Sequence, residues 1–176
     1  EAVNNIKPSA RGELEISDAH QYLLDKGFDV SYSEITGWWK DTGKPSDLLD
    51  ANRLVLDNIK SDFKGIVDEN STVSGRVKIG TNSRVINSNI RGPAVIGDNT
   101  TIEESYIGPY SAIGKGCTIS GSEVEYSIIM DGCQINQVQR RIKSSLLGND
   151  VEILRSKNKP ATHRFMLGDQ SRIEIK

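Results

Sequence analysis

Ile79-Gly80-Thr81-Asn82-Ser83-Arg84-Val85-Ile86-Asn87-Ser88-Asn89-Ile90-Arg91-Gly92-Pro93-Ala94-Val95-Ile96-Gly97 is the stretch that decides the fold. Its aliphatic positions 79, 85, 90 and 96 fall in steps of five or six residues, a period that fits neither an α-helix nor a long strand. The pattern then repeats. Ile79-Gly80, Ile96-Gly97 and Ile113-Gly114 lie 17 apart, as do Val85, Ile102 and Ile119, and Ile90, Ile107 and Val124. Ser88, Ser105 and Ser122 keep the same register. Such a chain turns three corners per coil and places one inward aliphatic side chain on each face. The glycine after each Ile is expected to permit a tight turn. Coils of this kind stack, because one alone cannot bury its apolar side. The reading is a mainly β chain built as a left-handed parallel β-helix, an exception to the right-handed crossover rule.

Composition agrees. There are 20 Ile and 16 Gly, while aromatic residues are only 6 %, as a narrow interior filled by aliphatic side chains requires. Lys plus Arg is 22 against Asp plus Glu 24, a net charge of −2, which argues against nucleic acid or an anionic membrane as the partner. No apolar run approaches the roughly 20 residues of a membrane span. Cys117 and Cys133 have no metal-ligand spacing and read as buried thiols of a cytoplasmic protein.

Outward from the repeat the pattern loosens. Ile128, Ile129, Cys133 and Ile135 suggest an imperfect coil, residues 137–143 a bulging loop, and 146–153 one more rung. Phe165–Gly168 and Ser171–Ile175 read as a cap or strand over the open end. Before residue 61 the signals are those of a short α/β remnant. Ser17 is the expected N-cap of a helix over Asp18–Lys26. Phe28–Ile35 alternates like a strand. Trp38–Lys44 is a loop, and Pro45-Ser46 opens a second helix carrying Leu48, Leu49, Asn52, Val55, Leu56 and Ile59. Three regions follow: 1–60, 61–155 and 156–176.

The polar residues that suit phosphate chemistry precede the repeat: Ser9-Ala10-Arg11-Gly12-Glu13-Leu14-Glu15-Ile16-Ser17-Asp18, and Trp39-Lys40-Asp41-Thr42-Gly43. An Arg beside Gly can lay its fork on a phosphate, and an Asp in a Gly-flanked loop can hold Mg²⁺ on one. The bland alternative is that the glutamates are solvated and Asp41 caps a turn. These two motifs, followed by a hexapeptide β-helix and the closing Met166-Leu167-Gly168-Asp169-Gln170-Ser171, resemble the long-form glucose-1-phosphate thymidylyltransferases of the sugar-1-phosphate nucleotidylyltransferase family. The resemblance implies attack of a sugar-1-phosphate oxygen on the α-phosphorus of dTTP, with Mg²⁺, releasing pyrophosphate. It assigns Arg11 to catalysis and to the sugar phosphate, Glu13 and Glu15 to support of that substrate site, and Asp41 to the metal. Lys40 and Lys44 read as exposed loop lysines, with phosphate contact as the alternative.

The family's Gly-rich nucleotide loop, its first metal Asp, its sugar-binding Glu and its Glu-Lys-Pro clamp have no counterpart here. The chain, which starts at Glu1, is therefore expected to be a C-terminal half that is inactive alone, with the β-helix serving homo-oligomer formation. Two other classes compete. An acyltransferase usually needs a His base, yet His20 and His163 lie outside the repeat. A purely structural module would use patches around Tyr106, Tyr110 and Tyr126, with Arg140, Arg141 and Lys143 solvated or between subunits.

Overall fold

The computed structural model describes residues 1–37, 39–160, 162–168 and 171–175. Trp38, Asp169 and Gln170 of the quoted motifs lie outside the described residues. The chain divides into two compact units, 1–39 and 40–176.

The first unit holds two helices, α1 (Ala2–Asn5) and α2 (Ile16–Asp25), which meet where Ala2 and Ala19 are buried. α2 begins two residues earlier than Ser17 would dictate. Its N-cap is Glu15, held extended at φ −88° and ψ 133°, and Ser17 falls inside the first turn. The expected strand over Phe28–Ile35 does not form. These residues are exposed throughout and pair with no strand among the described residues. Alternation makes a segment strand-compatible, but a strand exists only with a partner for its backbone groups.

The second unit opens with α3 (Pro45–Leu56), as the Pro45 start and helical spacing predict. Its first turn is closed by Asp47, whose carboxylate accepts the Lys44 N–H at 3.0 Å. The β-helix follows. Its first face carries strands Asp62–Phe63, Val77–Ile79, Ala94–Ile96, Ser111–Ile113, Ile128–Ile129 and Leu146–Leu147. The second carries Ile66–Val67, Arg84–Ile86, Thr101–Glu103, Thr118–Ser120, Gln134–Asn136 and Glu152–Leu154. The third carries Thr72–Ser74, Asn89–Arg91, Tyr106–Ile107, Glu123–Glu125 and Ile142–Lys143. With six, six and five strands, that is five complete coils and two strands of a sixth. Every pairing is parallel. Ile79↔Ile96↔Ile113, Val85↔Ile102↔Ile119 and Ile90↔Ile107↔Val124 stand in the three columns expected from the repeat.

The core is these columns. Ile79, Ile90, Ile96, Ile102, Ile107, Ile119, Ile129 and Ile135 are all below 2 % exposed. Full burial of each contributes roughly 1.5–3 kcal/mol. The serines that shared the register have a structural reason. Ser88 N–H donates to Ser71 Oγ, Ser105 N–H to Ser88 Oγ, Ser122 N–H to Ser105 Oγ and Val138 N–H to Ser122 Oγ, at 3.0–3.2 Å. At this corner each hydroxyl satisfies the backbone of the next coil, where a bare turn would orphan an amide. A second corner does the same with Ser83, Thr100 and Cys117: Thr100 N–H donates to Ser83 Oγ and Cys117 N–H to Thr100 Oγ1. Cys133 continues that line, and both thiols are buried and unpaired.

The glycine after each Ile also acts differently from expectation. Gly97 is not in the left-handed region, yet a Cβ there would meet the Gly114 backbone at 2.6 Å. Close approach of successive coils, rather than turn conformation, demands it. The bulge over 137–143 is confined to 137–141, because Ile142 and Lys143 pair with Val124 and Glu125. Residues 156–160, 162–168 and 171–175 carry no helix or strand, so the expected terminal strand is absent there.

Candidate functional site

In the first unit a tight turn builds the Arg11 site. Ser9 N–H donates to the Glu13 carbonyl at 2.8 Å, and Gly12 N–H returns to the Ser9 carbonyl at 2.9 Å. Gly12 sits at φ 79°, a conformation that L side chains resist. The turn brings Arg11 over Glu15. Arg11 Nη2 donates to Glu15 Oε1 at 2.8 Å and Oε2 at 2.9 Å, and Nε adds a bond of 3.2 Å. Ser9 Oγ donates to the same carboxylate at 2.7 Å. The Ser9 hydroxyl and then the Arg11 guanidinium hold the Glu15 carboxyl below its ordinary value. The Arg11 side chain remains 73 % exposed, so it is oriented yet accessible. Glu13 contributes its carbonyl to the turn, and its side chain has no partner among the described residues.

In the second unit Asp41 is exposed and unpaired among the described residues, beside Gly43, where a Cβ would stand 3.7 Å from its Oδ1. A free carboxylate in an open loop suits one ligand of a hard divalent cation whose other ligands are water and phosphate oxygens. Among the described residues no three His, Cys, Asp or Glu side chains come together as a metal site. Arg11 and Asp41 thus fall in different units.

Lys40 is not a free phosphate ligand. Its Nζ lies 3.1 Å from Asp50 Oδ2 and 3.6 Å from Asp47 Oδ1, both on α3. Asp50 in turn accepts the Tyr126 hydroxyl at 3.1 Å. The bond to Asp50 raises the Lys40 ammonium above its ordinary value, and the bonds from Lys40 and Tyr126 lower Asp50. Further along α3, Asn52 donates to the Tyr110 carbonyl at 3.0 Å, and Asp57, which follows the helix, accepts Tyr110 OH at 3.1 Å and pairs with Arg76 at 3.6 Å. Tyr110 and Tyr126 occupy corners at φ 61° and 47° and stack edge to face with centroids 6.1 Å apart. Backbone strain at these bulky residues is offset by their bonds to the α3 segment. Sequence reasoning offered these tyrosines as outer contact patches; two of them instead bind α3. The third, Tyr106, lies under Arg141 at 4.9 Å. Arg141 pairs with Glu123 at 2.8 Å and Glu125 at 2.6 Å, and Lys143 with Glu125 at 2.9 Å, so two of the three cations of the basic loop are paired within the chain.

A groove of about 500 Å³ passes the corner before the third face, lined by Asn70, Asn87, Glu104, Ser105, Tyr106 and Gln139 among others. No residue lining it is a His or Cys. No helix among the described residues is long and apolar enough to cross a membrane.

Residues 1–58 match the nucleotidyl transferase family. Over 99 % of its length the chain is 48 % identical to the glucose-1-phosphate thymidylyltransferase of Streptomyces antibioticus and 46 % identical to that of Streptomyces griseus, covering 49 % of each. It is 40 % identical to the low-salt glycan biosynthesis nucleotidyltransferase of Haloferax volcanii, again over 99 % of the chain and 50 % of that protein. The chain therefore spans about half the length of the curated relatives it matches. Two polar motifs, a hexapeptide β-helix and near-complete alignment lead to one relation: this chain is a homologue of the glucose-1-phosphate thymidylyltransferases, within the nucleotidyltransferases.

Proposed function

We propose that the chain is the C-terminal half of a cytoplasmic enzyme that forms dTDP-glucose and pyrophosphate from dTTP and glucose-1-phosphate. The observation that carries this reading is the Arg11–Glu15 pair. A guanidinium clamped by a carboxylate on one side and open to solvent on the other is pre-oriented for a second anion, and a sugar phosphate supplies one. Glu15 fixes the rotamer of Arg11, and the turn through Glu13 fixes its backbone. Arg11 then neutralises the attacking phosphate and holds its oxygen in line. Asp41 supplies a carboxylate ligand for Mg²⁺, which when bound offsets the charge of the triphosphate. Residues 1–60 close the nucleotidyltransferase domain in this reading, 61–155 form the assembly module and 156–176 its tail. The first face supports homo-oligomer formation. Val95, Ala112, Ile128 and Leu146 form an aliphatic row on its outer side, all partly exposed.

The test is pyrophosphate release. The longer polypeptide carrying this chain is expected to turn over dTTP and glucose-1-phosphate. Arg11→Ala or Asp41→Asn should each lower the rate about 10²-fold, the loss typical of one electrostatic stabiliser. The 176-residue chain alone should release none, and turnover by it at a normal rate refutes its assignment as an inactive half. Sedimentation of the same chain tests assembly, and a strict monomer at high concentration counts against it.

A further inference from the structure

Asp41 is adjacent in sequence to Lys40, the most heavily anchored side chain of its loop among the described residues. Lys40 is 33 % exposed and holds two carboxylates of α3, and one of these, Asp50, also holds Tyr126 at the corner between the fourth and fifth coils. Asn52 and Asp57 tie the remaining length of α3 and its end to Tyr110 and Arg76, at the corners leading into the fourth and second coils. Lys40 through Asp50 to Tyr126 is thus a continuous chain of ion pair and hydrogen bond from the loop to the β-helix, all within one compact unit. Both links are 3.1 Å and meet on the one Asp50 carboxylate, Lys40 at Oδ2 and Tyr126 at Oδ1.

We propose that Lys40, Asp50 and Tyr126 are positioning residues that seat the Asp41 loop on the β-helix, so that the β-helix sets the placement of the metal-binding carboxylate. The role of Asp41 rests on the function proposed above, whereas the seating of Lys40 does not. Tyr126 acts only through Asp50 and Lys40. Removing its hydroxyl leaves Asp50 with one partner fewer and loosens Lys40. The β-helix core is untouched, because the Tyr126 side chain faces α3 rather than the aliphatic columns.

Trypsin reads the seating directly. It cuts after Lys40 only when that side chain leaves its carboxylates, and the rate follows the population of the open form. A hydrogen bond to a charged group biases such a population about fivefold or more. Tyr126→Phe should therefore speed cleavage between Lys40 and Asp41 about fivefold, and Asp50→Asn more. Cleavage after the exposed Lys26 should not change, and neither should thermal melting of the β-helix. Equal rates at Lys40 in wild type and both variants overturn the seating. In the longer polypeptide, Tyr126→Phe should raise the Mg²⁺ concentration for half-maximal rate several-fold and leave the rate at saturating Mg²⁺ nearly unchanged. Faster cleavage with an unaltered Mg²⁺ requirement overturns the link to the site. If Asp41→Asn retains full activity, the metal assignment fails, and the cleavage result still decides the seating.

Discussion

Three glycines at or near one corner of the β-helix separate two reasons for requiring glycine. Gly97 and Gly148 follow Ile96 and Leu147 in equivalent coil positions, yet their surroundings differ. A Cβ on Gly97 would lie 2.6 Å from the carbonyl carbon and oxygen of Gly114, backbone atoms that cannot rotate away. One on Gly148 would meet nothing within 4 Å, because no further coil packs over it. Gly116 has open space too, but sits at φ 65°. Met130 occupies the same column as Gly97, so the fold absorbs a side chain there at some cost rather than failing outright. Gly97→Ala should then cost about 3 kcal/mol, the upper end for overpacking, a fall of about 6–12 °C in Tm for a chain of this size. Gly116→Ala should cost about 1–2 kcal/mol through its left-handed backbone alone. Gly148→Ala should be neutral or stabilising by about 0.4–1 kcal/mol, by restricting the unfolded chain. Thermal and urea melts followed by circular dichroism provide the comparison. Equal tolerance at Gly97 and Gly148 would refute the claim that coil-to-coil contact, rather than turn conformation, selects glycine after the column isoleucines.

Two further predictions concern corners and charge. Ser105→Ala leaves the buried Ser122 N–H without its partner, while the Glu103 carbonyl keeps the Gly121 N–H, a loss of about 1–3 kcal/mol in urea unfolding, and Ser105→Cys should recover part of it because thiols already fill the neighbouring corner line. Lys143 and then Arg141 hold Glu125 below its ordinary 4.5. Its contribution is therefore complete above pH 4.5 and is lost as pH falls through the lower folded value, and Glu125→Gln should flatten the acid limb of a stability–pH profile between those points.

Residues 79–124 reveal their fold in sequence because a stacked coil repeats its environment. Each Ile sees the same two neighbours, so periodicity in the chain becomes periodicity in space. The serine register was legible as well, but not its purpose, since the amide that each hydroxyl serves lies in another coil. Phe28–Ile35 shows the opposite case. Alternation there predicts a strand, but strand formation depends on a neighbour that the local pattern does not encode. Arg11 and Asp41 were legible as residue types in suggestive loops. The Ser9–Arg11–Glu15 clamp needed the Gly12 turn to become visible, although the Arg–Glu spacing of four is a signal that could have pointed to it. The role of Lys40 was not legible, because Tyr126 is 86 residues away in sequence.

The position of α3 has a mechanical consequence. Between Asp50 and Asp57 the chain advances about 10 Å as helix, while the corners of Arg76 and Tyr126 are three coil steps, about 14 Å, apart. Side-chain reach closes the difference, so the segment works as a clasp laid antiparallel to the winding. The early coils can peel away only after the clasp opens. The last rungs lie beyond it, with Leu154 already 55 % exposed. Such a spool unwinds from one end, and a tether pulling on the C-terminus would meet far less resistance than one pulling on the loop before α3.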